Sequence, residues 1–408
     1  MDEPLRPAPT DVEVAWSDLG GSGSPGLRLD AADVLTVELP FRRPVRTAAG
    51  THMQRPLVLV RLEVTADGSE GPVELVGWGE CAALTDTTYD SEDAGTAAQA
   101  LVGSLVPALL ERSGAGGGLP GPSAVTEPGS TRSEWPLATA ALEMAVADAH
   151  LRASGRSFAG LLGVDAGSVP VGAVVGLEED DDDLVGRVAA LVDAGYGRVK
   201  LKIGPGRDVG PVGAVRRRFP GLMLMADANG AYTPAELDHL VSLDRFGLAC
   251  LEQPFGRTDL ATHAELARRS STPVCLDETV GSPADVRRAI GLGACGVVCV
   301  KPSRLGGVAA ALEVHRDAAA AGIPLWIGGM YESGYARSVN AVLAALPGFS
   351  LPGDLAPASV ALGEDLVPDP VLEGRPLRVP LHRGPGMGPA PDGPTVDRLS
   401  RSVTRLAP

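Results

Sequence analysis

Hydrophobic and polar positions alternate along three runs near the start of the chain, "ADVLTVELPF", "PLVLVRLEVT" and "ELVGWGECA", the first opening at about residue 31. A period of two between turn-forming Gly and Asp predicts strands of a small antiparallel sheet. The spacing then becomes helical in "SEDAGTAAQALVGSLVPALLER". It is helical again, after a Gly/Pro-rich loop at 114–130, in "WPLATAALEMAVADAHLRASG". Residues 29–160 thus read as an α+β domain. The preceding stretch, 1–28, is rich in Pro, Gly and Ser and is expected to be a flexible extension.

From about 168 to 367 the rhythm changes. Short apolar runs appear at "VPVGAVVG", "GRVKLKI", "LMLMADA", "ACLEQPF", "PVCLDET", "GVVCVKPS", "PLWIGGM" and "FSLPGDL", most of them separated by amphipathic stretches such as "SPADVRRAIGLG". Strand, helix, strand in repeat means parallel pairing, because parallel neighbours need a crossover helix. About eight such units predict a closed βα barrel. An open doubly wound sheet is the alternative, but no Gly-rich dinucleotide fingerprint follows its first strand. The last segment, about 368–400, is short-stranded and is expected to return and complete the first domain. The acidic run "EEDDDD" (178–183) lacks the Gly and Glu spacing of an EF-hand loop and reads as a solvated helix start.

Charge sharpens this picture at the strand ends. Lys202, Asp227, Glu252, Asp277 and Lys301 each close an apolar run, at spacings of 25, 25, 25 and 24 residues. One βα unit separates each from the next, and strand ends of a barrel converge on one mouth. Three carboxylates at one mouth repel each other unless a cation neutralises them. All-oxygen ligation selects a hard divalent ion, Mg2+ with Mn2+ as a substitute, whereas zinc would favour His or Cys. The second and sixth strands of such a barrel stand nearly opposite, so Lys202 and Lys301 are expected to flank the bound substrate. Beside a dication a lysine is expected to shift toward neutrality and serve as a base. This arrangement fits removal of a proton α to a carboxylate through an enediolate. Lys200, on the same strand face as Lys202, would meet the substrate carboxylate. A Schiff-base aldolase would use one lysine in an apolar pocket without three acids, and a metal-buffering protein would have no use for the lysines.

Composition narrows the partners. The 408 residues are 44% hydrophobic and 21% charged, as in a soluble globular protein, and 35 basic against 51 acidic side chains leave a net charge of −16. That field disfavours nucleic acid and anionic membrane surfaces, so neither is an expected partner. A small-molecule carboxylate substrate is expected instead, handled by a homo-oligomer. No apolar run of bilayer length stands out, and the acidic, Pro-containing start is unlike a secretory signal. Five cysteines, Cys81, Cys250, Cys275, Cys295 and Cys299, form no framework and read as buried reduced thiols of a cytoplasmic protein.

The motifs "KLK" (200–202), "DANGAY" (227–232), "EQPF" (252–255), "CLDET" (275–279) and "VKPSRLGG" (300–307) resemble the enolase superfamily, specifically its muconate-lactonizing subgroup. The resemblance runs from about 33 to 390. It implies a modified TIM barrel with an α+β capping domain, with Asp227, Glu252 and Asp277 as magnesium ligands. It further implies Lys202 and Lys301 as the acid/base pair, Lys200 and Asn229 near substrate, and Glu278 in support. Further stretches, "VRTAAGT" (45–51), "GWGECAAL" (77–84) and "GIPLWIGGMYESGYAR" (322–337), are similar to o-succinylbenzoate synthases that also racemise N-acylamino acids. By that likeness Arg46, Gly329 and Met330 would face substrate and Arg304 would tune Lys301. Two positions depart from the pattern: Val174 stands where many members carry Ser, and "GDLAPASV" (353–360) replaces a Ser-containing run. Both fall where a distal acyl group would be held.

Overall fold

The computed structural model describes residues 9–21, 26–47, 50–68, 71–114, 118–126, 134–178 and 180–408. Its first sheet is antiparallel. Strands β1 (Leu27–Thr47), β2 (Gly50–Gly68) and β3 (Gly71–Cys81) pair in sequence, and the chain returns at its end to add a further strand beside β1. The alternation seen in the sequence separates their faces. Leu57, Leu59 and Leu62 of β2 are fully buried, as are Val58 and Val60, because this sheet is covered on both sides near its middle. The helix Pro136–Ala153 lies across it and is buried along its whole length from Leu137 to Leu151. Close approach is possible because β3 has glycines there. A Cβ on Gly79 would stand 1.9 Å from the carbonyl oxygen of Ala141, and one on Gly77 would stand 2.4 Å from that of Ala145.

Glu143 of that helix ties the two parts of the chain together. Its carboxylate accepts from the backbone amides of Val308 (2.5 Å) and Ala309 (3.0 Å), the first turn of the helix Val308–Ala321. It also accepts from Trp16 Nε1 at 3.2 Å. Trp16 belongs to a helix, Pro9–Ser17, whose Val12 and Trp16 are buried. Part of the stretch expected to be a flexible extension is therefore a packed helix. Its two apolar anchors outweigh the Pro/Gly/Ser composition around them, and residues 1–8 and 22–25 lie outside the described ones.

The second body is built on β4 (Ser168–Pro170) and seven parallel strands. These are β5 (Ala173–Val175), β6 (Arg198–Lys202), β7 (Met223–Asp227), β8 (Leu251–Glu252), β9 (Val274–Leu276), β10 (Val297–Val300) and β11 (Leu325–Ile327), hydrogen-bonded in that order. The expected eighth run, "FSLPGDL", is no regular strand. It closes the ring through single bridges, Phe349 to Leu325 and Gly353 to Val171. The amide of Asp354 donates to Ile327 (2.9 Å) and that of Gly172 to Gly353 (2.8 Å). Pro352 has no N–H for a ladder, which accounts for the broken pairing. The returning segment then supplies β12 (Arg378–Pro380), paired with β4, and β13 (Ser400–Leu406), paired with β1. The first sheet is thus completed just past the expected limit of 400.

The acidic run does start a helix, Asp181–Ala194, capped by the Asp180 carboxylate. The continuous helical stretch Ala94–Gly114, by contrast, is long and apolar enough by composition to cross a membrane, which the sequence pattern did not suggest. Its most apolar window of 18 residues is 44% buried, with Ala97, Leu101 and Val106 packed in the core of the capping domain.

Candidate active site

Strand β6 explains why lysines recur at its end. Arg198, Lys200 and Lys202 stand two residues apart, so all three point to one face, the barrel interior. Exposure rises along the series: Arg198 is fully buried, Lys200 is 5% exposed and Lys202 is 30% exposed at its side chain. Each ammonium or guanidinium has a carboxylate opposite. Arg198 Nη1 meets Asp354 Oδ1 at 2.8 Å. Lys200 Nζ lies 3.1 Å from Asp354 Oδ2 and 3.1 Å from Glu252 Oε1, above the face of Trp326. Lys202 Nζ donates to Asp227 Oδ2 at 2.6 Å and Asn229 Oδ1 at 2.5 Å. The anionic partners of Lys200 are thus Asp354, Glu252 and Asp227.

The acids form a row across β7, β8 and β9. Asp227 and Glu252 are register partners, and Asp277 follows directly after β9. Lys301, after β10, donates to Asp277 Oδ2 at 2.8 Å. The row thus has Lys202 at one end and Lys301 at the other. The turn residues next to these acids are forced out of the common backbone regions, with φ of 44° at Asn229 and 38° at Gln253. Gln253 is fully buried and braces the neighbouring strand end. Its Oε1 accepts from the amides of Asp277 (3.0 Å) and Thr279 (3.2 Å), and its Nε2 donates to Thr279 Oγ1.

The capping domain reaches into the same site. The Tyr89 hydroxyl donates to Asp277 Oδ2 at 2.5 Å and accepts from the Lys301 ammonium. Arg304 donates to Asp277 Oδ1 at 2.6 Å and to Asp90 Oδ1 at 2.7 Å, and lies over the Tyr89 ring. Arg304 and Lys301 thus share Asp277, and Arg304 also ties the barrel to Asp90. Glu278 accepts from Asn229 Nδ2 at 2.8 Å. Gly329 sits against the closing segment, where a Cβ would meet the Asp354 carbonyl oxygen at 3.1 Å.

One expected substrate contact is not placed that way. Met330 is buried and packs into the capping-domain core, while its carbonyl accepts from Arg55 at 3.0 Å. An apolar side chain next to a domain junction finds that core before it finds a ligand. The side chain of Arg46 lies outside the described residues. Tyr89, Gln253, Arg198 and Asp354 belong to the site or its support and were not singled out from the sequence.

The donor set suits a hard cation. Glu252, Asp277 and Cys299 bring ligand atoms within 4.8 Å of one another. Burial and the neighbouring Asp227 charge push the Glu252 carboxyl well above its usual range. Glu252 Oε2 forms no hydrogen bond of acceptable geometry, although Lys200 Nζ stands 3.0 Å away. Burial also pushes the Cys299 thiol well up. Asp227 is not in this close group, because its Oδ2 is held by Lys202. All five cysteines are buried and unpaired, as expected. Burial lowers the Lys301 pKa, but Asp277 and Glu278 outweigh it and raise the value above that of a free lysine. Lys200 is raised in the same way, against its own burial, by Asp354, Glu252 and Asp227. These directions are the ones the carboxylates set by themselves; the drift toward neutrality expected of a lysine belongs to the site with a dication in it.

Comparison with known proteins agrees with this geometry. Residues 31–163 match the N-terminal domain of the mandelate racemase / muconate lactonizing enzyme family, and residues 183–395 match the enolase C-terminal domain-like family. An N-succinylamino acid racemase of an Amycolatopsis species is 42% identical over 92% of this chain and 98% of its own. An o-succinylbenzoate synthase of Geobacillus kaustophilus is 36% identical over 90% of this chain and 94% of its own. A solved enolase-superfamily structure from Listeria innocua superposes with a TM-score of 0.85 at 33% identity, covering 93% of this chain and 99% of that one. Muconate lactonizing enzyme from Pseudomonas putida, at 22% identity and a TM-score of 0.78 over 92% of this chain and 100% of its own, shares the fold. With a barrel bearing lysines and acids at successive strand ends and a capping domain closed over them, this chain belongs to the mandelate racemase / muconate lactonizing enzyme family of the enolase superfamily.

Proposed function

We propose that the protein removes the proton α to a carboxylate and works as an N-acylamino acid racemase, an o-succinylbenzoate synthase, or both. One observation carries this reading. Lys202 and Lys301 stand at opposite ends of a carboxylate row, 2.6 Å from Asp227 Oδ2 and 2.8 Å from Asp277 Oδ2. A substrate carboxylate drawn to that row presents its α-carbon between two amines. In racemisation one lysine takes the proton from one face and the other returns a proton to the opposite face. In dehydration Lys202 both removes the α-proton and protonates the departing hydroxide, while the Lys301 ammonium holds the enolate charge. Asp227, Glu252 and Asp277 would hold Mg2+, or Mn2+ in its place, which when bound stabilises negative charge developing on the substrate carboxylate. Lys200 and Asn229 keep the row in place from below and from the side, Glu278 orients Asn229, and Arg304 fixes Asp277.

The relatives named N-succinylamino acid racemase and o-succinylbenzoate synthase support this reading over other reactions of the superfamily. The test is α-proton exchange in deuterated water, followed by proton NMR on N-succinylamino acids. Exchange is expected with Mg2+ or Mn2+ and is expected to stop with a chelator. Absence of exchange and of o-succinylbenzoate formation in the presence of Mg2+ would remove the reading.

A further inference from the structure

The wall of the mouth opposite the acids is apolar. Strands β5 and β11 and the closing segment lie across the ring from β8 and β9, which lead to Glu252 and Asp277. Val174 is the register partner of Lys200 on β6. Register partners on neighbouring strands face the same side of a sheet. Lys200 points inward, so Val174 does too. Its neighbours Ala173 and Val175 are buried, yet Val174 is 42% exposed. An inward side chain that remains open to solvent lines the mouth itself.

Other exposed apolar residues stand in the segments that follow these strands. Leu177 follows β5 and is 62% exposed, Tyr331 follows β11, and Val360 lies beyond the closing segment. The Tyr331 ring packs edge-on against Phe41 at 5.4 Å, and Phe41 bridges to Leu362, which sets Tyr331 beside the segment that carries Val360. Among the described residues, five cations of these elements are already engaged. Arg198 and Lys200 face Asp354, Arg187 pairs with Glu178, and Arg207 pairs with Asp181 at 3.1 Å. Arg337 donates to the carbonyls of Glu332 (2.9 Å) and Ala356 (2.8 Å). Just outside the wall, Asp180–Asp183 open a helix with four acids. A second carboxylate on the substrate would meet apolar surface backed by like charge, a costly place for it.

We infer that the group remote from the reacting carboxylate is uncharged and apolar: the preferred substrates are N-acylamino acids with an alkyl or aryl acyl chain rather than a dicarboxylic one. This rests on the α-proton chemistry proposed above, and it differs from the succinyl group in the relatives' names.

The test compares N-pentanoyl- and N-succinylphenylalanine, which share the amino acid and nearly the same acyl length. Racemisation and α-proton exchange are followed with Mg2+ present. The pentanoyl compound is expected to show a kcat/KM about tenfold to a hundredfold higher. Leu177→Arg, a change at a solvent-exposed position, is expected to narrow that ratio by lowering KM for the succinyl compound. Val174→Ser is expected to narrow it by raising KM for the pentanoyl one. Exchange with both compounds but a succinyl preference overturns this inference and leaves the α-proton reading standing. Exchange with neither overturns this inference, and if o-succinylbenzoate formation is absent as well, the α-proton reading falls with it. A pentanoyl preference that neither variant narrows removes this wall as its source, and with it the inference.

Discussion

The Tyr89 hydroxyl donates to Asp277 Oδ2 at 2.5 Å and accepts from the Lys301 ammonium, although Tyr89 and Asp277 are 188 residues apart in sequence. One phenol from the capping domain thereby orders an acid and a base of the barrel. It serves the Lys301 end of the row only, since the partners of Lys202 are Asp227 and Asn229. Tyr89→Phe keeps the ring under Arg304 and removes both hydrogen bonds. Loss of about 1.4 kcal/mol, a typical hydrogen bond to a charged group, corresponds to about a tenfold slower step. Exchange of the enantiomer whose α-proton faces Lys301 is expected to slow by that factor, with the other enantiomer little changed. Equal slowing of both would show that Tyr89 does not act through Lys301.

The opposed lysines make a sharper demand. Lys202→Ala and Lys301→Ala are each expected to abolish racemisation, with a loss of about a thousandfold or more, because a racemase needs a proton donor on the second face. Each single variant should still exchange the α-proton of the one enantiomer that faces the remaining lysine. Chiral chromatography alongside NMR separates the two readouts. Racemisation at near the original rate in either variant would mean that the two amines do not divide the faces between them.

The part of the site that repeats was legible in the sequence, and the part built by tertiary contact was not. The lysine–acid–acid–acid–lysine series could be found because a βα unit has nearly constant length, so strand ends recur in phase. Arg198 carried the same signal, standing in phase with Lys200 and Lys202, but its depth below the mouth shows only once β6 is seen inside a closed ring. Asp354 escaped because its segment is joined by single bridges and has no strand pattern to mark where it ends. Tyr89 gives no local cue, since its role depends on a capping loop folding over a barrel. Met330 misled for the opposite reason. It lies beside the mouth in sequence, yet the junction with the capping domain buries it. The barrel and the antiparallel sheet were readable from periodicity alone, whereas the helix Pro9–Ser17 was hidden by the composition around it.

Glu80 gives the fold a pH dependence of definite sign. It is buried on β3, its carboxylate accepts from the amide and hydroxyl of Ser333, and burial together with nearby Glu332 raises its pKa to about 7. Between about pH 4.5 and 7 the folded chain keeps a proton that the unfolded chain has released. Stability contributed by this group therefore falls as pH rises through that window, by about 3 kcal/mol in all. Glu92, raised to about 7 by burial, adds a slope of the same sign. Glu80→Gln is expected to remove roughly half of the combined slope, read from urea unfolding at several pH values between 5 and 8. An unchanged slope would assign the pH dependence elsewhere.

Asp354 contributes with the opposite sign. It joins Arg198, at 2.8 Å, to Lys200, at 3.1 Å, and although burial opposes its ionisation, Lys200 and Arg198 hold its pKa well below the usual carboxylate range. A depressed folded-state pKa stabilises the fold above the unfolded value, near 4, and that contribution is lost as pH falls toward the folded one. Asp354→Asn leaves two inward-facing cations with one carboxylate fewer between them. Breaking a buried pair in this way costs about 3–5 kcal/mol. The variant is expected to be less stable by about that amount at pH 7, with the gap to the unmodified protein closing as the pH is lowered below 4. It should also lose α-proton exchange, because Lys200, freed from Asp354, has only Glu252 and Asp227 left to neutralise it and competes with the cation for their oxygens. A variant as stable as the parent at pH 7 would mean that Glu252 and the face of Trp326 suffice to hold Lys200, and that the cations of β6 do not need the closing segment.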